Sequence, residues 1–330
     1  MMKNITYAAA ILEGFEYLLE NHPKVFVLGQ GVWSPWYVGS SMTDLEKKFG
    51  KNRVIDTPVS ESACNGIGVG ASLYGYRPII IHPRMDFLLY GMDAMVNQAA
   101  KWSSMLGGEG HPCVTFRAII NRGGEQGAQH SQALHSWFAH IPGLRVVMPS
   151  SPLDARDLLI ASVLCDDPVL YIDDRWLYEE EEPYKPVQEK SLSDVIPQVV
   201  LEGNDITLVG SGYTTLVCKQ IARTLKTKGI MAEVIDVSSL NSLNAEPIVK
   251  SVCKTGVLYV IDGSWKTCGF AGEIIASVSE NIEIKNFKKS PKRYTLPDAP
   301  APSSAPLEKA YYFDVDKIAQ EIIEHTFSDI

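Results

Sequence analysis

The sequence of 330 residues lacks the features that mark several large protein classes. It has no uninterrupted apolar run near the ~20 residues that span a bilayer, and its first residues lack the apolar core of a secretion signal. Its six cysteines include no close pair, which argues against a disulfide framework or a zinc site. A net charge of −9 with no basic stripe argues against nucleic acid as the main partner. We therefore expect a cytoplasmic globular protein.

Common catalytic motifs are also missing. The sequence contains no His-Glu-x-x-His, Gly-x-Ser-x-Gly or Walker loop, so the enzyme classes that these motifs mark lose support. The three glycines within residues 66–70 do not have the spacing of a dinucleotide fingerprint and are expected inside a helix, where they permit close packing or the approach of a cofactor. His130, His135 and His140 are five residues apart and do not share one helix face, so we predict no metal site from them.

Apolar strand-like runs alternate with helical stretches along the chain. Apolar side chains within residues 7–19 recur at helical spacing and predict an amphipathic first helix. Strand-like runs such as 114–120 and 144–148 are too apolar to face water. Strands of this kind, separated by helices, predict a parallel sheet covered on both sides.

The alternation is interrupted once. A stretch rich in charge and proline, from residue 173 to about 199, indicates a surface connection. In the smaller alternation that follows, residues 284–287 are predicted as the last strand and residues 291–306 as a loop. The predicted fold class is α/β with two domains, each a mainly parallel sheet with helices on both faces, spanning residues 1–190 and 191–330.

The most informative segment is the polar stretch at residues 129–132 (Gln-His-Ser-Gln), which joins the strand-like runs 114–120 and 144–148. Long loops held by rigid strands are common positions for binding and catalytic groups. Amides and glycines surround His130, which makes this titratable side chain a candidate proton donor. The alternative is a solvated turn whose histidine has no function.

Residues 56–61 (Asp-Thr-Pro-Val-Ser-Glu) end a predicted strand and open a helical stretch. Ligands of parallel sheets bind at the carboxyl ends of the strands, which is where Glu61 would lie. The alternative is a carboxylate at a helix start, favoured there by Ser60 as a cap and by the helix dipole.

Residues 81–87 (Ile-His-Pro-Arg-Met-Asp-Phe) end another apolar strand just ahead of a helix. Taken alone, Phe87 is an ordinary core residue at a helix start. His82 is expected to pack at the strand end rather than to act as a ligand.

Together these segments resemble the β subunit of thiamine-diphosphate-dependent 2-oxoacid dehydrogenases. That group includes the pyruvate, branched-chain oxoacid and acetoin enzymes and is related to the central and C-terminal regions of transketolase. The resemblance rests on residues 56–61, on Arg-Pro-Ile at 77–79, on residues 129–132 with Pro-Gly-Leu at 142–144, on Pro149 before a helix, on Val-Ile-Asp-Val at 234–237, and on the segments 261–270 and 307–311. It covers nearly the whole chain in the family's order. It implies a transketolase-like pyrimidine-binding domain over 1–190 and a transketolase C-terminal-like domain over 191–330.

The resemblance also implies roles for single residues. Glu61 matches the glutamate whose carboxylate bonds to the pyrimidine ring nitrogen and promotes the imino tautomer, which removes the proton from the thiazolium carbon. Phe87 matches the aromatic residue that stacks on the pyrimidine, and Val59 and Pro83 lie at neighbouring positions of the pocket. His130 matches the active-site histidine, which would donate to the substrate carboxylate or carbonyl and stabilise the developing alkoxide. The cofactor itself is the electron sink.

A missing motif implies a partner. The diphosphate and Mg²⁺ end of this cofactor is normally held by a Gly-Asp-Gly followed further along by an asparagine, and the sequence contains no Gly-Asp-Gly. The resemblance therefore implies an α subunit that carries this motif and supplies the metal ligands. The expected assembly is an α₂β₂ heterotetramer with the cofactor at the α/β interface, to which a lipoyl acyltransferase is a possible further partner.

The sequence departs from the dehydrogenase pattern at residues 82–86 (His-Pro-Arg-Met-Asp) and 122–126 (Arg-Gly-Gly-Glu-Gln). Both segments lie near the expected substrate, where Arg84 is a candidate for recognising a second anionic group, with a surface salt bridge as the alternative.

The leading interpretation is a β subunit that helps to decarboxylate a 2-oxoacid and to transfer the acyl unit. The rival enzyme class is a split transketolase or acyloin synthase that passes a two-carbon unit to an aldehyde or sugar. A non-catalytic pseudo-subunit is the third reading, and the presence of both Glu61 and His130 argues against it.

Overall fold

The computed structural model describes residues 4–34 and 36–327. In this part of the chain the α-helices are α1 Tyr7–Asn21, α2 Leu45–Phe49, α3 Glu61–Leu73, α4 Met85–Leu88, α5 Ala100–Met105, α6 His135–Ala139, α7 Pro152–Leu164, α8 Tyr213–Lys226, α9 Glu246–Thr255, α10 Phe270–Asn281, α11 Ala305–Tyr311 and α12 Val315–Phe327. The strands are β1 Asn4–Thr6, β2 Val25–Gln30, β3 Val54–Thr57, β4 Arg77–His82, β5 Thr115–Ile120, β6 Arg145–Val147, β7 Val169–Asp174, β8 Glu181–Pro183, β9 Gln198–Leu201, β10 Ile206–Gly210, β11 Ala232–Asp236, β12 Ser239–Asn241, β13 Leu258–Trp265 and β14 Lys292–Leu296. No helix within the described ranges is long and apolar enough to cross a membrane.

The first of two compact units contains the chain up to Arg122 together with Gln129–Val195. Its sheet carries strands in the order β6-β7-β5-β4-β2-β3, and each of these neighbouring pairs is parallel. Helices α1 and α7 pack against each other, and α3 packs on β4. The predicted first helix is confirmed: the Thr6 hydroxyl accepts from the Ala9 N–H at 3.2 Å, and the apolar face of α1 is buried.

A buried ion pair holds the centre of this sheet. Arg117 on β5 and Asp173 on β7 are fully buried, and the guanidinium donates from Nε at 3.0 Å and from Nη2 at 2.8 Å to the two carboxylate oxygens. Arg117 Nη2 also donates to the Ser41 hydroxyl at 2.8 Å, and Tyr178 donates its hydroxyl to Asp173 at 2.5 Å. Because Ser41 belongs to the loop that follows β2, this loop is tied directly to the core.

The second unit contains Gly123–Ala128 and the chain from Ile196 onward. Its sheet has the order β14-β13-β10-β11-β9, in which β9 is antiparallel to β11 and the other neighbouring pairs are parallel. Apolar residues of α8 and α12 form a common core with the strands. Each unit is thus a mainly parallel sheet with helices, and the predicted α/β fold class is confirmed.

The last strand of the second sheet was predicted at the wrong place. Residues 284–287 (Ile-Lys-Asn-Phe) have apolar side chains at both ends, yet Ile284–Asn286 forms a 3₁₀ helix in which Ile284 is 86% exposed. The edge strand is instead β14, within the segment predicted as a loop, and it pairs in parallel with β13. Pro291 and Pro297 flank β14 and suggested a loop, but proline is tolerated at the ends of edge strands.

Candidate functional site

A pocket lies at the carboxyl end of the first sheet. Strands β2, β3 and β4 are parallel neighbours, so their last residues, Gln30, Thr57 and His82, come to one edge of the sheet. The residues that line the pocket are Gly29, Gln30, Tyr37, Thr57, Pro58, Ser60, Glu61, Cys64, Ile81, His82, Pro83, Arg84 and Phe87. Open parallel sheets bind their ligands at this edge.

The wall near β2 depends on glycine. A Cβ atom at Gly29 would lie 2.6 Å from the Ile81 carbonyl oxygen and 2.8 Å from the Ile81 Cβ, which is closer than side chains approach. The turn after β2 is fixed by Asp56, whose Oδ1 accepts from the N–H groups of Gly31 at 2.6 Å and Val32 at 3.2 Å. The chain is thereby directed over the pocket edge toward Tyr37, another lining residue.

Glu61 lies in the pocket wall as the first residue of α3, which confirms the predicted helix start. Its half-buried side chain forms no hydrogen bond or ion pair with any described residue. Ser60 does not cap the helix, because its hydroxyl donates to the Val59 carbonyl at 2.7 Å. The helix dipole favours the ionised carboxylate at this end of α3. Both carboxylate oxygens of Glu61 are therefore available to a ligand.

The segment after β4 supplies a second part of the wall. Pro83, Arg84 and Phe87 all line the pocket, where α4 begins. The ring of His130 meets the ring of Phe87 edge to face, with centroids 5.2 Å apart and planes at 88°. His130 thus contacts a lining residue without being one of the lining residues itself. The structure brings Phe87 and His130 together although 43 positions separate them in the sequence.

Val59 is the predicted site residue that does not join this arrangement. Its side chain is 66% exposed, while the adjacent Pro58 and Ser60 line the pocket. Val59 thus points to solvent in this chain.

Asp86, which the sequence analysis missed, holds the loop of His130. Its Oδ1 accepts from the Gln132 backbone N–H at 3.2 Å and from Gln132 Nε2 at 2.9 Å. Burial raises the pKa of the Asp86 carboxyl, and the two bonds from Gln132 act in the opposite direction. Because Asp86 precedes Phe87 and Gln132 follows His130 by two residues, these bonds keep the imidazole against the phenyl ring.

His82 is fixed in one tautomer by Asn65. Asn65 Nδ2 donates to the Gly91 carbonyl at 3.0 Å, so its Oδ1 is the atom that lies 2.8 Å from His82 Nε2 and must accept. His82 Nε2 therefore carries the hydrogen. Gly91 is required for this contact, because a Cβ there would lie 2.1 Å from Asn65 Nδ2. The predicted role of His82 as a packed strand-end residue agrees with its burial.

Acid should destabilise the protein through His82. Burial lowers its pKa from 6.5 to about 3. Between these two pH values the unfolded chain binds a proton that the folded chain does not, so the free energy of unfolding falls as the pH is lowered from about 6.5 toward 3, by up to about 1 kcal/mol per pH unit. Urea unfolding at a series of pH values should show a shallower pH dependence for His82→Phe than for the unmodified chain. His140→Phe, at an exposed histidine, is the control, and equal slopes for all three proteins would contradict this account.

Four lining residues escaped the sequence analysis for different reasons. Gly29 and Gln30 end β2, and the sequence analysis placed no candidate at the end of that strand. Cys64 lies one turn after Glu61 on α3 and is detectable from helical spacing. Tyr37 comes from a loop without periodicity; its hydroxyl accepts from Gln30 Nε2 at 2.8 Å.

Two family models match the chain. They are "Transketolase, pyrimidine binding domain" over residues 3–180 and "Transketolase, C-terminal domain" over residues 198–318. The chain is 33% identical over 318 residues to the 2-oxoisovalerate dehydrogenase subunit beta of Bacillus subtilis (strain 168), with 96% of this chain and 97% of the relative covered. It is 33% identical over 313 residues to the mitochondrial pyruvate dehydrogenase E1 component subunit beta of Dictyostelium discoideum, with 93% and 87% covered.

A solved structure shares the fold. The structure described as "Split gene transketolase, inactive beta4 tetramer" superposes with a TM-score of 0.78 at 20% sequence identity, covering 96% of this chain and 98% of the other. This likeness concerns the arrangement of strands and helices in the two units.

Proposed function

The chain belongs to the β subunits of 2-oxoacid dehydrogenases, which contain transketolase pyrimidine-binding and C-terminal domains, and on this premise we propose that it supplies the pyrimidine-binding half of a thiamine diphosphate site in a decarboxylating, acyl-transferring enzyme. The observation that carries the proposal is the Glu61 carboxylate, which forms no hydrogen bond or ion pair with a described residue and lies in the same pocket wall as Phe87. We propose residues 1–190 as the pyrimidine-binding domain and 191–330 as the C-terminal domain.

The side chains of the pocket fit an aminopyrimidine. A flat heterocycle needs an apolar contact for its face and a polar contact for its ring nitrogen, and Phe87 and Glu61 offer these two contacts in one pocket. Glu61 would accept a hydrogen bond from the protonated ring nitrogen and so favour the proton at that atom. Pro83 would add apolar surface, and Val59, exposed in this chain, would contact the cofactor only from the pocket edge.

The cofactor and the side chains of this chain would contribute different parts of the reaction. When bound, thiamine diphosphate supplies a nucleophilic carbon and an electron sink for decarboxylation. His130 would donate a hydrogen bond to the carboxylate or carbonyl oxygen of a 2-oxoacid and stabilise the negative charge that develops there. Its edge contact with Phe87 and the Asp86–Gln132 bonds would hold it in place for this role.

The diphosphate and its Mg²⁺ require a partner. Among the described residues no group of three or more His, Cys, Asp or Glu side chains is arranged to hold a metal ion, and the sequence has no Gly-Asp-Gly. We therefore propose that an α subunit with this motif completes the site in an α₂β₂ heterotetramer. A lipoyl acyltransferase would then accept the acyl group.

Cofactor binding tests the divided site. Calorimetry should detect weak or no binding of thiamine diphosphate to this chain alone, and Mg²⁺-dependent binding once the α chain is present, because only the assembled site holds both ends of the cofactor. The neighbouring reading frame is the place to look for that α chain, and a lipoyl-domain gene beside it would support the dehydrogenase complex. Micromolar Mg²⁺-dependent binding by this chain alone would overturn the divided site.

A further inference from the structure

Arg84 is a cation in the pocket wall without an acidic partner. It is half-buried, and its only hydrogen bond to a described residue is a long one, 3.5 Å, from Nη1 to the Pro83 carbonyl. Burial lowers its pKa, and the positive charge of Arg175 lowers it further. Tyr37 and Asp86 act on the pKa in the opposite direction, so the guanidinium of Arg84 is partly desolvated and has both a like charge, Arg175, and an opposite charge, Asp86, in its surroundings.

Arg175 is the second cation. Its Nη2 donates to the Tyr37 carbonyl at 3.0 Å and to the Trp36 carbonyl at 3.5 Å, and its guanidinium lies 5.9 Å from the centre of the Tyr178 ring. Its Nε–H is buried and has no acceptor among the described residues. These contacts fix the position of the guanidinium but neutralise none of its charge.

The nearby carboxylates form no ion pair with Arg84 or Arg175 among the described residues. Asp86 accepts both hydrogen bonds from Gln132, and Asp173 forms its bidentate pair with Arg117. Asp174 accepts from the Trp176 N–H and pairs with Arg122 at 3.0 Å. Arg175 is hydrogen-bonded to Tyr37, which lines the same pocket as Arg84, so two guanidinium groups lie near this wall and the single Asp86 carboxylate offsets only part of their charge. An oxyanion bound between them would therefore be attracted by both.

We propose that Arg84 and Arg175 form an anion subsite at the edge of the pocket, which binds a phosphate or a second carboxylate of the substrate at a distance from the reacting carbon. As a statement about substrate, this rests on the proposed function, because it takes the pocket as the reaction site. Arginine suits this role, since its planar fork binds phosphate and carboxylate oxygens in pairs. The loop of Tyr37 is held by Arg175 on one side and by Arg117 through Ser41 on the other, so the subsite exists before the anion arrives.

Anion binding can be measured without cofactor or α chain. Inorganic phosphate is titrated into the full chain at constant ionic strength, and the arginine Nε–Hε resonances are followed by NMR. The signals of Arg84 and Arg175, assigned from Arg84→Gln and Arg175→Gln, should shift and saturate. Arg84→Gln should weaken phosphate binding about tenfold, as expected for the loss of one charge-assisted contact. Arg223→Gln removes the same charge at an exposed position of α8 and should leave the affinity unchanged.

The possible results distinguish a phosphate ligand from a carboxylate ligand. They also test the anion subsite separately from the proposed function. Tighter binding of phosphate than of acetate would support the subsite and a phosphorylated substrate, whereas binding of acetate at least as tight would support it and a second carboxylate. If Arg84→Gln does not fold, Arg84→Lys and Arg175→Lys replace it in the test. Both variants keep the positive charge but lose the planar guanidinium group, and weaker phosphate binding in both would support the subsite. Chemical shifts that do not saturate, or equal phosphate affinity in Arg84→Gln and Arg223→Gln, would overturn the subsite.

The titration contains no thiamine diphosphate, so its result does not depend on the proposed function. Failure of cofactor binding with the α chain present would refute the proposed function and leave the subsite standing.

Discussion

Glu61→Gln should slow hydrogen exchange at the thiazolium carbon of bound thiamine diphosphate on the order of 10²-fold or more, while the assembly with the α chain survives. The substitution keeps the shape of the side chain but replaces a carboxylate with an amide, which holds a proton at the pyrimidine ring nitrogen much less well. Since Glu61 has no partner within the described chain, its substitution breaks no internal hydrogen bond or ion pair. The measurement is deuterium exchange followed by NMR in the assembled complex.

The control is a second glutamate at a helix start. Glu246 is the first residue of α9, as Glu61 is of α3, and it pairs with Lys250 at 2.6 Å. Glu246→Gln should leave the exchange rate unchanged. If Glu61→Gln also left it unchanged, and both variants differed from the unmodified chain only in thermal stability, Glu61 would be reassigned to the helix terminus.

The parallel core of each unit could be predicted because its signals are local. Buried parallel strands are continuous apolar runs, and α1 and α3 begin where the sequence predicted. Edge strands carry weaker signals, because one side of the strand lacks a neighbour and its residues stay partly exposed. Strand β9 is exposed along its length, and β14 lies between prolines, so neither resembled a core strand. Their pairing is decided by β11 and β13, which lie far away in the sequence.

The candidate site also combines residues that could be predicted from the sequence with contacts that could not. Glu61, Pro83, Arg84 and Phe87 follow the ends of predicted strands, and the rule that ligands bind at such ends was enough to bring them to one edge. The contacts that position them were beyond prediction, because each joins side chains distant in the sequence. Asp86 with Gln132, Asn65 with His82 and Arg175 with Tyr37 all depend on tertiary packing. The sequence therefore predicted several of the side chains that line the pocket, whereas the groups that hold them emerged from the fold.

Substitution of His130 by alanine in the assembled enzyme should lower kcat by roughly 10²-fold or more, the scale of a lost acid, base or oxyanion contact. Cofactor affinity should change little, because the wall of the pyrimidine pocket includes Phe87 but not His130. The variant also removes the edge contact with Phe87, which is worth about 0.5–1.5 kcal/mol. His130→Gln retains a hydrogen-bond donor and should recover part of kcat if hydrogen bonding to the substrate is the main role.

His135→Ala is the matched comparison, since His130 lies in the loop and His135 begins the helix that follows it. His135 is 2% exposed at the start of α6, whereas His140 at the end of this helix is exposed. Its loss should lower the free energy of unfolding by roughly 1–3 kcal/mol and leave kcat of the folded enzyme nearly unchanged. Steady-state kinetics and urea unfolding of both variants decide between the roles. Near-normal kcat for His130→Ala would remove His130 from the mechanism, because a residue that only packs against Phe87 would reveal itself in cofactor affinity and stability instead.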